Sequence, residues 1–161
     1  MNVTAVQTDL SSILLLRNLF LQENNFQIRY NAIHERGWSD SYMLMYNEEK
    51  IGYGTIRGNQ QRIDRDTVFE FYIIPSFRNI SSLAFSALLH ASNASFIEGQ
   101  SNDLLLTSLL YEYADNIHSE VILFEGHAKS SWSIDKIIFG RRNYNDVVFE
   151  RRYVPSPQLS I

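Results

Sequence analysis

Glu70 is the residue best placed for acid–base chemistry, as the single carboxylate in the apolar run TVFEFYII, residues 67–74. Val68, Phe69, Phe71 and Tyr72 flank it. Such neighbours strip water from a carboxylate and raise its pKa, toward the range in which it takes a proton from an ammonium group. The alternative is a carboxylate turned to solvent or paired with an arginine such as Arg57 or Arg62. Pro75 ends the run, and Arg78 leads through Asn79 and Ile80 to Ser81 and Ser82, where a helix can begin. A helix start offers unpaired amides and a partial positive charge, and nearby hydroxyls add donors, so this segment suits an anion. It equally suits an ordinary capped helix. Gln100-Ser101-Asn102-Asp103 is a run of four polar residues, either a loop facing a cleft or a cap supplied by Asn102 or Asp103. The four histidines, His34, His90, His118 and His127, show no ligand spacing, and without cysteine there is neither a disulfide nor a thiolate metal site, so no metal is expected.

The elements that must position these groups follow from periodicity and punctuation. Asp9 can cap a helix carrying Ile13, Leu14, Leu16, Leu19 and Phe20 at helical spacing. A short second helix is expected near residues 28–35, stopped by Gly37. Tyr42 to Tyr46 and Lys50 to Ile56 read as a hairpin about Asn47-Glu48-Glu49, and a polar loop, residues 57–66, precedes the strand of Glu70. A helix over residues 80–92 presents Leu83, Ala84, Ala87 and Leu88 on one face. Then come an extended stretch at 94–98, a helix over 104–114 and a short apolar strand at 120–124. Residues 126–146 have no clear period; they hold Trp132 and a possible strand at 137–139, and a last strand is expected at 147–153.

Composition restricts the classes of function. The 161 residues suit one compact domain, expected over 1–154 with a tail at 155–161. Hydrophobic residues make up 45% against 20% charged, the balance of a folded globular protein. A net charge of −4 without a basic run argues against nucleic acid as a partner. The longest apolar run, Ile13 to Leu16, is far short of a membrane span, and the first residues lack the pattern of a secretory signal, so a soluble cytoplasmic protein is expected. Pattern alone supports an α/β or α+β domain around a mixed sheet.

Two segments carry a more specific likeness. EFYIIPSFRN, residues 70–79, resembles the fourth strand and pyrophosphate turn of the GCN5-related N-acetyltransferases. LLYEYADNI, residues 109–117, resembles the helix-four segment of that family, often written LYEKLGF. The resemblance implies a mixed, mostly antiparallel sheet flanked by about four helices and acetyl-CoA as cosubstrate. It further implies that Tyr72, Ile73 and Ile74 meet pantetheine through their backbone, and that Arg78, Asn79, Ile80, Ser81 and Ser82, with Asn102, complete the cofactor site. Glu70 would be the general base and Tyr111 the acid that protonates the departing thiolate, while Trp38, Tyr42 and Trp132 would line an acceptor pocket. The arginine pairs 141–142 and 151–152 would reach the 3′-phosphate. The turn departs from the family pattern at both glycines, because Ser81 and Leu83 stand among the residues after Arg78. Two functions follow: transfer of an acetyl group to an amine acceptor of small-molecule or peptide type, or a non-catalytic assembly or sensing domain. Partners of the second kind would be another copy of the chain or a second domain of this fold.

Overall fold

The computed structural model describes residues 2–24, 26 and 28–119. The segments expected beyond residue 119, with Trp132, His127, the two arginine pairs and the boundary at 154, lie outside the described residues. Met1–Asp115 forms one compact unit, and a second begins at Asn116.

Strand β1 (Val3–Thr8) leads into helix α1 (Leu10–Glu23) and a short helix α2 (Asn31–Glu35). The hairpin β2 (Ser39–Tyr46) and β3 (Glu49–Arg57) follows. Its two turn residues, Asn47 and Glu48, have φ of 45° and 73°, the left-handed pair that matches the twist of a tight hairpin. Next come β4 (Thr67–Ile73), a 3-10 segment Pro75–Ile80, α3 (Ser81–Ser92), β5 (Phe96–Ile97) and α4 (Leu104–Tyr113). The five strands lie in chain order, antiparallel from β1 to β4 and parallel between β4 and β5. This is the mixed, mostly antiparallel sheet expected. Strand β1 escaped the sequence reading, because six residues with a single clear apolar alternation precede a strong capping signal at Asp9.

Two cores cover the two faces of the sheet. On one, Leu44, Ile51, Phe71 and Ile73 pack with Phe85 and Leu88 of α3 and with Leu106 and Leu109 of α4. On the other, Met43, Tyr53 and Tyr72 pack with Ile13 and Phe20 of α1 and with Phe26. Two glycines of β3 permit this closeness. A Cβ on Gly54 would collide with the Leu88 side chain, and one on Gly52 would strike the Tyr72 carbonyl oxygen across the ladder. Gly52→Ala is therefore expected to destabilise the fold by about 1–3 kcal/mol through overpacking. That exceeds the roughly 0.4–1 kcal/mol gained by restricting the unfolded chain, so a thermal melt with unchanged or raised midpoint would contradict the packing described.

Candidate functional site

The site begins with an extra residue in β4. Thr55 pairs with Glu70 and Ile56 with Val68, so Phe69 is a bulge with no partner of its own. A bulge reverses the alternation of side chains and re-aims those beside it. Val68 and Phe71 accordingly share the α3 face, while Phe69 meets Tyr30 and His34 on the α2 side, ring centroids 5.2 and 5.3 Å apart. Glu70 turns to that side as well. β5 pairs with β4 only through Thr67–Phe96 and Val68–Ile97, with one further bond from the Glu98 amide to the Val68 carbonyl at 2.8 Å. Beyond it the two strands part. The opening is a narrow pocket of about 10 Å³, room for about one water, lined by Phe69, Glu70, Gln100 and Asp103 with Phe20 and Tyr30 among the residues around it. Gln100 fixes one wall, its amide donating to the Ile28 carbonyl (2.7 Å) and accepting from the Ile28 amide (3.2 Å). Tyr30 fixes another by donating to Glu98, which also pairs with Arg57.

Glu70 is 1% exposed and its carboxylate is heavily engaged. Arg17 donates from Nε to Oε2 (3.0 Å) and from Nη2 to Oε1 (2.9 Å), and the Tyr53 hydroxyl donates to Oε2 (3.0 Å). His34 Nε2 lies 3.2 Å from the same Oε2 without the alignment of a hydrogen bond. Arg17 also donates to Asn31 Oδ1 and to the Arg29 carbonyl, tying α1 to the approach to α2. Burial alone would raise the pKa of Glu70, but His34 and Arg17 together outweigh it and hold the group below its ordinary value. The sequence expectation of a raised pKa is thus corrected: it counted the apolar neighbours along the strand and missed the cation from α1. The arginines named as alternative partners are engaged elsewhere, Arg57 with Glu98 and Arg62 over the Trp38 ring at 4.1 Å.

Asp103 is the second carboxylate of the cleft. It caps α4 by accepting the Leu106 amide at Oδ1 (3.0 Å), and it is 3% exposed. Burial pushes its pKa up to about 6, against the pull of the Leu106 amide and with a further push from the charge of Glu70. The capping role read from the sequence holds; the place in the cleft wall was missed.

At the far end of β4 the structure separates the residues expected to hold a cofactor. The Ile74 amide is committed to the Ile51 carbonyl (2.9 Å), and Tyr72 sits opposite Tyr53 in the ladder. Ile73 is different, its carbonyl accepting from Arg78 Nε at 3.3 Å. The guanidinium of Arg78 also pairs with Glu23 at the end of α1. The expected glycine-free pyrophosphate turn is a 3-10 segment that runs straight into α3, with the Ser81 amide bonded to the Arg78 carbonyl. Ile80 gives α3 no side-chain cap, and its first turn carries no acidic residue of its own. Asn79 is exposed and Ser81 and Ser82 half-buried. One anion already stands there: Glu112 of α4 accepts from the Ser82 hydroxyl. Tyr113 donates to the Ser82 carbonyl (2.9 Å) and packs on Phe85. Tyr111, by contrast, is 72% exposed, and Asn102 is exposed one residue before the α4 cap. Tyr42 belongs to the α3-side core, and Trp38 stacks with Arg36 and Arg62, so neither is among the residues that line the cleft.

Arg17 was the missed centre of the site, and a signal for it exists. Ile13, Arg17 and Phe20 are the buried residues of α1, spaced four and three apart, so the arginine occupies the inward stripe of an apolar helix. A charge on such a stripe calls for a buried partner.

No family model and no curated protein matches the sequence. The fold does have relatives of known structure. A ribosomal-protein-alanine N-acetyltransferase from Brucella melitensis biovar Abortus 2308 superposes with a TM-score of 0.51 at 12% identity, over 76% of this chain and 100% of that one. An aminoglycoside acetyltransferase from an uncultured soil metagenomic sample, in complex with sisomicin, gives a TM-score of 0.51 at 12% identity, over 79% and 97%. The chain therefore has the fold of the GCN5-related N-acetyltransferases. Among the described residues no helix is long and apolar enough to cross a membrane, and no cluster of side chains could hold a metal ion.

Proposed function

We propose that the chain is an N-acyltransferase that moves an acetyl group from acetyl-CoA to a primary amine. The parting of β4 and β5 just beyond Val68 carries this reading, because it leaves the rest of that edge of β4 without a paired strand beside the pocket into which the Phe69 bulge turns a carboxylate. Acetyl-CoA supplies an activated thioester. Ile73 borders its path, and Arg78 with the start of α3, including Ser81 and Ser82, forms the end that suits a diphosphate. Glu70 is held ionised by Arg17 at the floor of the pocket. A phenol of α4 returns a proton to the leaving thiolate, Tyr111 by its place in the motif or Tyr113 by its contact with α3; Tyr→Phe variants of each distinguish them.

Calorimetric titration with acetyl-CoA tests the reading. Micromolar binding is expected, weakened about three- to tenfold in Arg78→Ala. Glu112→Gln should act in the opposite direction and tighten binding by a similar factor, because it removes a negative charge from the helix end that meets the phosphates. Absence of binding at millimolar ligand would overturn the enzyme reading. The engagement of Ser82 by Glu112 and Tyr113 and of Arg78 by Glu23 would then favour the second reading, a non-catalytic assembly or sensing domain.

A further inference from the structure

Strand β1 ends the sheet, and its outer edge has no strand beside it among the described residues. The direction of each of its backbone groups follows from the ladder. The Asn47 amide donates to the Asn2 carbonyl, and the pairs Thr4–Met45, Val6–Met43 and Thr8–Ser41 continue that bonded pairing in steps of two. Val3, Ala5 and Gln7 therefore aim their amides and carbonyls away from β2, and no backbone bond among the described residues takes them up. Natural sheets guard such an edge with charge, proline, a bulge or a very short strand. β1 has none of these: VTAVQT is six residues long, uncharged, free of proline and paired with β2 without a shift in register.

We propose that this edge binds the same edge of a second copy of the chain, antiparallel about a two-fold axis through Ala5. That register alone pairs all three outward residues. Val3 exchanges both of its bonds with the partner's Gln7, Ala5 with the partner's Ala5, and Gln7 with the partner's Val3. The axis stands perpendicular to the sheet and brings like elements together on each face. On one face Val3 and Ala5 pack with the α3 core, and α3 lies over β1, so the two α3 helices become neighbours. α3 exposes Leu83, Ser86 and His90 at helical spacing. On the other face α1 sits over β2, β3 and β4, leaving Thr4 and Val6 exposed. There Thr4 meets the partner's Val6.

Charge selects the occupant. No acidic or basic side chain occurs from Asn2 to Thr8, and none but His90 from Asn79 to Ile97. A two-fold mate thus sets no like carboxylates or ammonium groups against each other, whereas an acidic or basic segment of another protein would find no counter-charge. A six-residue strand falls short of the roughly 800 Å² that each partner gives to a standard interface; Leu83, 47% exposed, and Val6, 54% exposed, add apolar area beside it. β1 lies at the opposite end of the sheet from β5, so the pairing stands or falls separately from acyl transfer.

Analytical ultracentrifugation of the full chain tests the proposal, with a dimer expected at micromolar protein. Ala5→Pro removes an amide that points outward, so it breaks no bond to β2 but deletes both bonds at the axis. It should yield a monomer with the wild-type circular dichroism spectrum. Val6→Lys adds the charge that natural edges carry and should raise the dissociation constant about tenfold or more; it keeps the test decisive if the proline variant does not fold. Amide exchange locates the contact in wild type itself. The amides of Val3, Ala5 and Gln7 should exchange about tenfold or more slowly at concentrations that favour the dimer than after dilution. A wild-type monomer, an assembly larger than a dimer, a dimer that both variants leave intact, or outward amides indifferent to concentration overturns the proposal.

Discussion

Arg17→Met is expected to remove about 3–5 kcal/mol of stability, the usual loss when one member of a buried ion pair is deleted and the other stays behind. Four acceptors would lose their donor at once: both oxygens of Glu70, Asn31 Oδ1 and the Arg29 carbonyl. Tyr53 and His34 remain beside Glu70, but neither gives the two-pronged contact that Arg17 makes. Methionine fits the α1 stripe between Ile13 and Phe20, so the loss reports the charge and not a hole. Adding Glu70→Leu to Arg17→Met removes the stranded carboxylate and should restore a large part of the stability, since apolar replacements of buried pairs are often neutral. Urea denaturation at pH 7 reads both effects. A loss below about 1 kcal/mol for the single variant, or no recovery in the double, would contradict the network.

Asp103→Asn should have the opposite sign and raise stability at pH 8. An aspartate titrates at 3.8 when unperturbed and at about 6 in this fold. Its contribution is therefore most favourable below about pH 4, declines as pH rises and is fully lost above about pH 6. Over that gap, at about 1.4 kcal/mol per pH unit, the ionised carboxylate penalises the native state by roughly 3 kcal/mol at pH 8. Asparagine keeps the cap without the charge. The gain should accordingly approach this size at pH 8 and vanish near pH 4. Equal melting shifts at the two pH values would show that Asp103 is solvated in the native state.

The parts of the fold that the sequence displayed are those set by neighbours a few residues apart. The β2–β3 hairpin, the apolar run of β4 and the stripes of α3 and α4 depend on alternation, helical spacing and turn chemistry, and each emerged within three residues of its place. The turn after Pro75 did not, because this glycine-free stretch closes into 3-10 turns whose amides bond back along the chain. The chemistry of Glu70 lay further out of reach. Arg17 is 53 positions away and His34 is 36, and nothing local to TVFEFYII announces either. Tertiary contact also sets the two phenols apart, facing Tyr113 to α3 and leaving Tyr111 exposed. What the sequence did contain, and a stricter reading of α1 would have used, is a lone arginine on an otherwise apolar buried stripe.

The bulge at Phe69 makes the cleft a matter of counting. In an uninterrupted ladder Glu70 would fall on the same face as Val68 and point its charge into the α3 core, among Phe85 and Leu88. One surplus residue inverts that parity and delivers the carboxylate to Arg17 on the opposite face. A chain shortened by one residue between Val68 and Glu70 would regain a regular ladder with those two still on opposite faces, so what the surplus residue adds is Phe69 itself, packed on Tyr30 and His34.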